Sequence, residues 1–372
     1  MRKSLLSLAV ITALSSTALM ADVRVSGFMN VVGGQSDVDS GVSPLGYDDK
    51  GDFQQDSLAA IQVSGSVADN MGATIQLIAQ NDPANDNIRM EWGYVYYDAS
   101  DEVRILAGRI RPSLFLYSDY LDVGYAYTWI TPPDEVYSQV AISNLDGGSI
   151  AYNLELGDNT LTTTVFGGNS TDKKDMGAAG IIDFAMDSVV GAEIAFSNDY
   201  GKIRAGYIQS EVTNNAAFPG TTPAPVIAGL EMNESGASFY GVGINGAYED
   251  FQIAAEYIVR DMDETASPDI SSYYAMLGYS IGDFTPNYTY AVADSDLEES
   301  TNPGVNQGRA GNLDDRTSHT FGLRYEVNAQ AALKIEYNMA TITTSSWVAG
   351  TPALIESDED ANTIRVALNV VF

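Results

Sequence analysis

The chain has 372 residues, no cysteine and a single histidine, and its 50 acidic residues outnumber 18 basic ones for a net charge of −32. Without cysteine it has neither disulfides nor a thiolate nucleophile or metal site, its negative charge repels nucleic acid, and no stretch approaches the roughly 18 consecutive apolar residues of a transmembrane helix. It is not a disordered polyanion either, because 45% of it is hydrophobic, and its 22 tyrosines outnumber Phe and Trp together, as suits a boundary that is oily on one side and wet on the other.

Met1-Arg2-Lys3, an apolar run from Ser4 to about Leu14 and a small-residue tail ending Ala18-Leu19-Met20-Ala21 read as a secretory signal over residues 1–21. Cleavage there leaves Asp22 as the mature start and, by removing Arg2 and Lys3, takes the charge from −32 to −34. The rest, 22–372, reads as one domain. Alternation marks about sixteen strands joined by turns that are short and long by turns. The expected strands are Val23 to Gly34, Gln55 to Ala68, Ala73 to Gln80, Ile88 to Asp98 and Glu102 to Arg109. A long insert, Ile110 to Asp146, precedes Gly148 to Leu156, Thr160 to Gly168, Ser188 to Ser197 and Lys202 to Val212. Ala237 to Tyr248, Phe251 to Asp261, Ser272 to Ile281 and Phe284 to Ala293 follow; Pro286 removes a ladder hydrogen bond within the last of these. Thr317 to Val327, Ala331 to Ile342 and Thr363 to Phe372 complete the set. An even number with every second connection short puts both termini on the short-turn side, which an export signal makes the periplasm.

Parity says which solvent each face meets. Phe251, Ile253, Ala255, Tyr257 and Val259 oppose Gln252, Glu256 and Arg260; Leu333, Ile335, Tyr337 and Met339 oppose Lys334, Glu336 and Asn338. Phe321, Leu323, Tyr325 and Val327 oppose Arg324 and Glu326, and Ile88, Met90, Trp92, Tyr94 and Tyr96 oppose Arg89 and Glu91. A mid-membrane Arg or Lys facing lipid costs roughly 2–4 kcal/mol, so the charged face must be wet and the other oily. Aromatics where oily faces meet short turns, Tyr96, Tyr152, Phe196, Tyr248, Phe251, Tyr279, Phe284, Tyr325 and Phe372, fit a membrane-interface girdle.

The acid concentrates in the long loops: Asp37, Asp39, Asp48, Asp49 and Asp52; Asp294 to Glu299; Asp314 and Asp315; Glu356 to Asp360. These runs read as a solvated rim, with attraction of cations and divalent bridging of lipopolysaccharide as functional alternatives. Asp37-Val38-Asp39-Ser40-Gly41 fails as a calcium loop because Val42 stands where the turn needs Gly. Gly241-Val242-Gly243-Ile244-Asn245-Gly246 matches a dinucleotide fingerprint by letter but lies inside a strand with no helix after it, so small residues on the wet face are the better reading. His319, the lone histidine, has no evident serine partner for a hydrolase. No metal or cofactor site is expected.

The chain ends on Thr363-Ile364-Arg365-Val366-Ala367-Leu368-Asn369-Val370-Val371-Phe372, a strictly alternating strand closed by an aromatic, which resembles the assembly signal of bacterial outer-membrane barrels. Together with the strand pattern and the outsized third loop, the mature chain resembles the Gram-negative general porins. The resemblance implies an all-β, up-and-down transmembrane barrel of about sixteen strands, a homotrimer in the outer membrane, and a third loop (110–146) folded inward to constrict the pore. The insert lacks the Pro-Glu-Phe-Gly-Gly run of enteric porins. Asp119, Asp122, Asp134 and Glu135 are then the expected constriction carboxylates, and Arg24, Arg89, Arg104, Lys202, Arg204, Arg324, Lys334 and Arg365 a candidate opposing basic wall, several of them open to pairing with Glu91, Glu326 and Glu336 instead. The implied function is passive diffusion of small hydrophilic solutes and ions, without catalysis; a substrate-selective pore or a hydrolase using His319 are the alternatives.

Overall fold

The computed structural model describes residues 23–39, 43–81, 87–140, 142–175, 181–214, 232–263, 265–296, 305–306, 308–309, 313–347 and 354–372. The expected signal segment, Asp22, Gly41, Val42 and the acidic stretch after Asp296 lie outside them. Sixteen antiparallel strands each pair with the next, and β1 pairs with β16 to close the barrel. They are β1 (Val23–Ser36), β2 (Leu58–Ala68), β3 (Met71–Gln80), β4 (Ile88–Asp98), β5 (Val103–Ile110), β6 (Leu145–Leu156), β7 (Asn159–Asp175) and β8 (Ile181–Asn198). β9 (Gly201–Asn214), β10 (Ser235–Tyr248), β11 (Phe251–Met262), β12 (Asp269–Tyr279), β13 (Phe284–Asp296), β14 (Asp315–Asn328), β15 (Ala331–Trp347) and β16 (Leu354–Val371) complete the ring. Closure leaves no sheet edge, which is what permits a β-structure in hydrocarbon.

The seam is made by the chain end. Gly27 and Phe372 exchange both backbone hydrogen bonds, at 2.8 and 2.9 Å. A Cβ on Gly27 would stand 2.6 Å from the Phe372 ring and 2.7 Å from the Ala60 carbonyl, so only glycine lets the aromatic lie flat over the seam.

Most expected faces are found. Phe251, Ile253, Tyr257, Phe321, Leu323, Leu333, Ile335, Tyr337, Ile364, Val366 and Leu368 are exposed on the outside, while Glu256, Arg324, Lys334, Glu336 and Arg365 are buried inside. Tyr152, Phe196, Tyr248, Phe251, Tyr279, Phe284 and Phe372 form an exposed aromatic band at the short-turn end; Tyr207, Tyr240, Tyr257, Tyr273, Tyr288 and Tyr337 form another towards the long loops. Pro286 is tolerated because the pairing of β13 with β12 begins only at Asn287.

Strand β4 corrects the expectation. Gln76 pairs with Trp92 but Leu77 with Met90, so Glu91 is an extra, bulged residue. The bulge reverses the parity beyond it. Ile88 and Met90 face out, Trp92 is buried inside, Tyr94 packs on the luminal cluster, and Val95 and Tyr97 take the outside. Tyr96 therefore leaves the girdle, where Tyr97 replaces it. Two hairpins also run farther than alternation indicated: β7–β8 pairs out to Asp175 and Ile181, and β15–β16 to Trp347 and Leu354.

Candidate permeation pathway

The segment between β5 and β6 supplies the interior. It holds two single-turn 3-10 helices, Ser118–Tyr120 and Gly124–Ala126, and one turn of α-helix, α1 (Asp134–Tyr137). The rest of its described residues are irregular, so their backbone N–H and C=O groups need partners from elsewhere. The luminal wall provides them, largely from charged side chains. Lys334, 1% exposed, donates from Nζ to the carbonyls of Gly124 (2.5 Å), Tyr127 (2.7 Å) and Trp129. Arg324 donates to Tyr125 and Tyr127 carbonyls, both at 2.7 Å. Arg204 reaches the Ser113 carbonyl at 2.8 Å, Arg260 that of Gln139 at 2.9 Å and Arg316 that of Asp134 at 3.1 Å. Carboxylates do the converse: Glu256 accepts the Leu116 N–H at 2.7 Å and the Tyr137 hydroxyl at 2.9 Å, and Glu336 accepts the Ile130 N–H at 2.7 Å.

Apolar packing fills the space between these tethers. Leu114, Phe115, Leu116, Tyr117, Tyr127, Trp129 and Val136 of the insert are buried in one cluster with Phe166, Val189, Ile208, Phe239, Ile258, Tyr274 and Met276 of the wall. Trp129 also donates from Nε1 to Thr289 at 2.8 Å and meets Tyr274 edge-on at 5.5 Å. Gly243 lies where its strand needs no side chain: a Cβ there would come 3.3 Å from Leu116 Cβ. Gly243 thus makes room for the insert at Leu116. The rings form a packed core, so no open aromatic slide is seen among the described residues.

Of the expected constriction carboxylates, Asp122 and Asp134 line one cavity, while Asp119 and Glu135 do not line it. Asp119 is exposed. Asp122 pairs with Arg111 at 2.6 Å, and Arg111 also holds Glu91 at 2.5 Å. Burial works against the charge of Arg111, but Asp122 and Glu91 outweigh it and its pKa rises. Asp134 pairs with Arg316 at 2.7 Å. Glu135 is buried, and that burial raises its pKa, with Arg316 and a hydrogen bond from Ser318 pulling partly back.

The basic residues divide likewise. Arg204, Arg324, Lys334 and Arg365 touch the insert; Arg365 binds Thr131 at 2.8 Å while pairing with Asp56 and Glu336. Arg89 pairs with Glu91 at 3.1 Å on the long-loop side of β4. Arg24, Arg104 and Lys202 lie near the short-turn end; Arg104 pairs with Asp98 at 2.6 Å and Lys202 with Glu193 at 3.6 Å. The wall is thus mainly a scaffold for the insert. Alternation did not single out Arg111, Arg260 and Arg316, although Arg260 stood on a charged face and could have been found there.

Between the insert and the wall lies a cavity of about 300 Å³ lined by Asp122, Asp134, Tyr127 and Tyr137 on one side and Asn30, Asp56 and Arg365 on the other, among others. A second, of about 20 Å³, lies between Trp129, Pro132 and Glu135 of the insert and Thr289, Thr320 and Glu336 of the wall. His319 shares the outward face with Phe321, its Nδ1 2.8 Å from the Tyr288 hydroxyl and its ring 5.1 Å from that of Tyr290.

No protein-family model matches the chain, and no curated protein matches it in sequence. Solved structures match its fold. OmpF of Salmonella typhi, in complex with daunomycin, aligns over 94% of this chain and 97% of its own with a TM-score of 0.59 at 13% identity. The outer membrane channel DcaP of Acinetobacter baumannii aligns over 95% and 97% with a TM-score of 0.58 at 12% identity. An anion-selective porin from Comamonas acidovorans aligns over 94% and 99% with a TM-score of 0.57 at 12% identity. At such identities the likeness is one of fold: this chain is a porin-like sixteen-strand barrel.

Proposed function

We propose that the protein is an outer-membrane porin, a water-filled channel for passive diffusion of small hydrophilic solutes and ions. The observation that carries this reading is the partition of side chains. The closed wall is apolar outside, between two aromatic bands, and charged inside. Such a wall is stable only with lipid around it and a polar interior. The folds it resembles are outer-membrane proteins, and the signal-like N-terminus fits export, with the short turns in the periplasm and Phe372 serving assembly. Diffusion needs no chemistry, so the reading includes no catalysis and no cofactor. The orientation of His319 towards the lipid side lends a hydrolase no support.

Selectivity follows from where charge is unpaired. Luminal cations are largely matched by Glu91, Glu193, Glu326, Glu336, Asp122 and Asp134. The surplus acid lies in the long loops and turns, where it favours cations at a range set by screening, about 10 Å at 0.1 M salt. A homotrimer is part of the proposal: β5 has only 8 residues against 18 in β8, which lowers the wall on one side. The outer loops would then face lipopolysaccharide. A substrate-selective pore is the second reading, favoured by the cavity that gathers Asp56, Asp122, Asp134 and Arg365 between the insert and the wall. Reconstitution in a planar bilayer tests the proposal: ohmic, cation-preferring current supports it, and a protein that inserts without conducting refutes it.

A further inference from the structure

The lipid-facing wall carries a recess at its short-turn end. Gly201 of β9 pairs with Gly246 of β10, and further along the same strands Ile203 pairs with Ile244, both exposed. Alternation therefore puts the glycines on the outward face as well. A Cβ on Gly201 would collide with the Asn245 carbonyl, and one on Gly246 would come 2.8 Å from that of Tyr200. The missing side chains leave a hollow of about 310 Å³. Phe196, Tyr200, Tyr248 and Phe251 wall it, and Ile203, Ile244 and Ile253 line it towards the membrane interior. The Tyr200 and Tyr248 rings stand 5.8 Å apart. Lys202 borders the hollow too, but its ammonium pairs with luminal Glu193 at 3.6 Å.

Two hairpin turns stand over this hollow. Asp199 directly precedes Tyr200, and Glu249 and Asp250 join Tyr248 to Phe251; all three carboxylates are exposed. Neither turn contains Lys or Arg, and the short turns on either side carry exposed Asp158 and Asp283. Such a rim repels an anionic headgroup and attracts an ammonium within a Debye length. It also disfavours a second copy of this chain in the recess, because copies inserted with one orientation would bring acidic turns against acidic turns. We propose that the recess is a binding site for one phospholipid with a primary-ammonium headgroup, of the phosphatidylethanolamine class. A stretch of acyl chain lies in the hollow over Gly201 and Gly246. The tyrosines stand at the glycerol and phosphate level, where amphipathic rings are stable, and the ammonium faces Asp199, Glu249 and Asp250. This rests on the outer-membrane reading above, since only a barrel in a bilayer offers this wall to lipid.

The test uses the full mature chain in detergent and native mass spectrometry with phosphatidylethanolamine or phosphatidylglycerol of the same acyl chains. The wild type should hold the ethanolamine lipid at least about fivefold more tightly than the glycerol lipid. Asp199→Lys combined with Asp250→Lys should erase or reverse that order. Ile203→Trp, which fills the hollow, should weaken both lipids and keep their order. Asp69→Lys, in the turn between β2 and β3, should change neither. Equal binding of the two lipids by the wild type overturns the proposal. So does an order that survives the paired turn substitutions, or an Ile203→Trp variant that binds lipid normally but changes oligomeric state, which would give the recess to a second copy. Should a variant fail to fold, the wild-type comparison decides alone. Sodium chloride current is recorded from the same protein in a planar bilayer. Current without lipid discrimination overturns the lipid site alone, and insertion without current overturns the pore reading alone.

Discussion

Replacing Lys334 with methionine isolates the strongest tether of the insert. The ammonium is buried and donates to three carbonyls, of Gly124, Tyr127 and Trp129. The Tyr127 carbonyl keeps a second donor in Arg324 at 2.7 Å. Lys334→Met thus removes the donor shown here for two buried carbonyls, each costing about 1–3 kcal/mol when left unsatisfied. Methionine has similar bulk, so the cavity term is small, and removing a buried charge returns part of its desolvation cost. The net loss is about 2–4 kcal/mol, which at about 1.4 kcal/mol per tenfold raises the undocked fraction of the insert by about 30- to 700-fold. The barrel wall keeps its ladder and its aromatic bands. Single-channel recording should then show larger and noisier conductance steps, while the folded barrel survives detergent as the wild type does. Arg24→Gln, at an exposed site away from the insert, is the control. Wild-type conductance and noise in Lys334→Met would refute the claim that wall cations hold the insert through its backbone.

Glu256→Gln keeps an acceptor for the Leu116 N–H but weakens two charge-assisted bonds, so current noise should rise less than in Lys334→Met, by an equivalent of about 1–3 kcal/mol. The raised pKa of Glu135 means that the docked insert pays for a buried charge as pH rises through that value; docking should be firmest in acid, and Glu135→Gln should flatten the pH dependence of current noise. Cation preference should be clear in reversal potentials at 0.01–0.1 M salt and fade near 1 M, where screening shortens to about 3 Å. Asp119→Asn should reduce that preference without altering insert noise, whereas Asp122→Asn should raise the noise modestly by removing one of the two carboxylates that hold Arg111. Gly27→Val should lower the yield of folded barrel, because its side chain meets Phe372 and the Ala60 carbonyl at the seam.

The barrel was legible because a membrane imposes one rule on every strand: side chains alternate between lipid and water. Ile335 against Lys334 and Leu323 against Arg324 carry that rule in plain letters. It failed at Glu91, where a single bulged residue shifts Trp92, Tyr94 and Tyr96 to the lumen; all three are plausible on either face, so composition gave no warning. It also failed at the far end of β7–β8, where the pairing shifts register between Gly168 and Ser170 and between Asp187 and Val190, and at that of β15–β16, where Glu356 to Asp360 are polar on both faces. The inward fold of the insert could be expected from its aromatic content. Its attachments could not, because Lys334 and Glu256 act on main-chain atoms, which every residue shares and no side-chain pattern encodes. For the same reason the basic residues on the wet face looked like a pore lining when most of those at mid-height are bound to the loop.

The most direct test of a closed barrel with lipid outside and water inside uses the chain's lack of cysteine. Single cysteines placed in turn at Ile61, Gln62, Val63 and Ser64 of β2 carry spin labels in bilayers. Labels at Ile61 and Val63 should collide with oxygen from the lipid, and labels at Gln62 and Ser64 with a water-soluble nickel reagent. The same accessibility at all four positions, or the reverse alternation, would contradict the account.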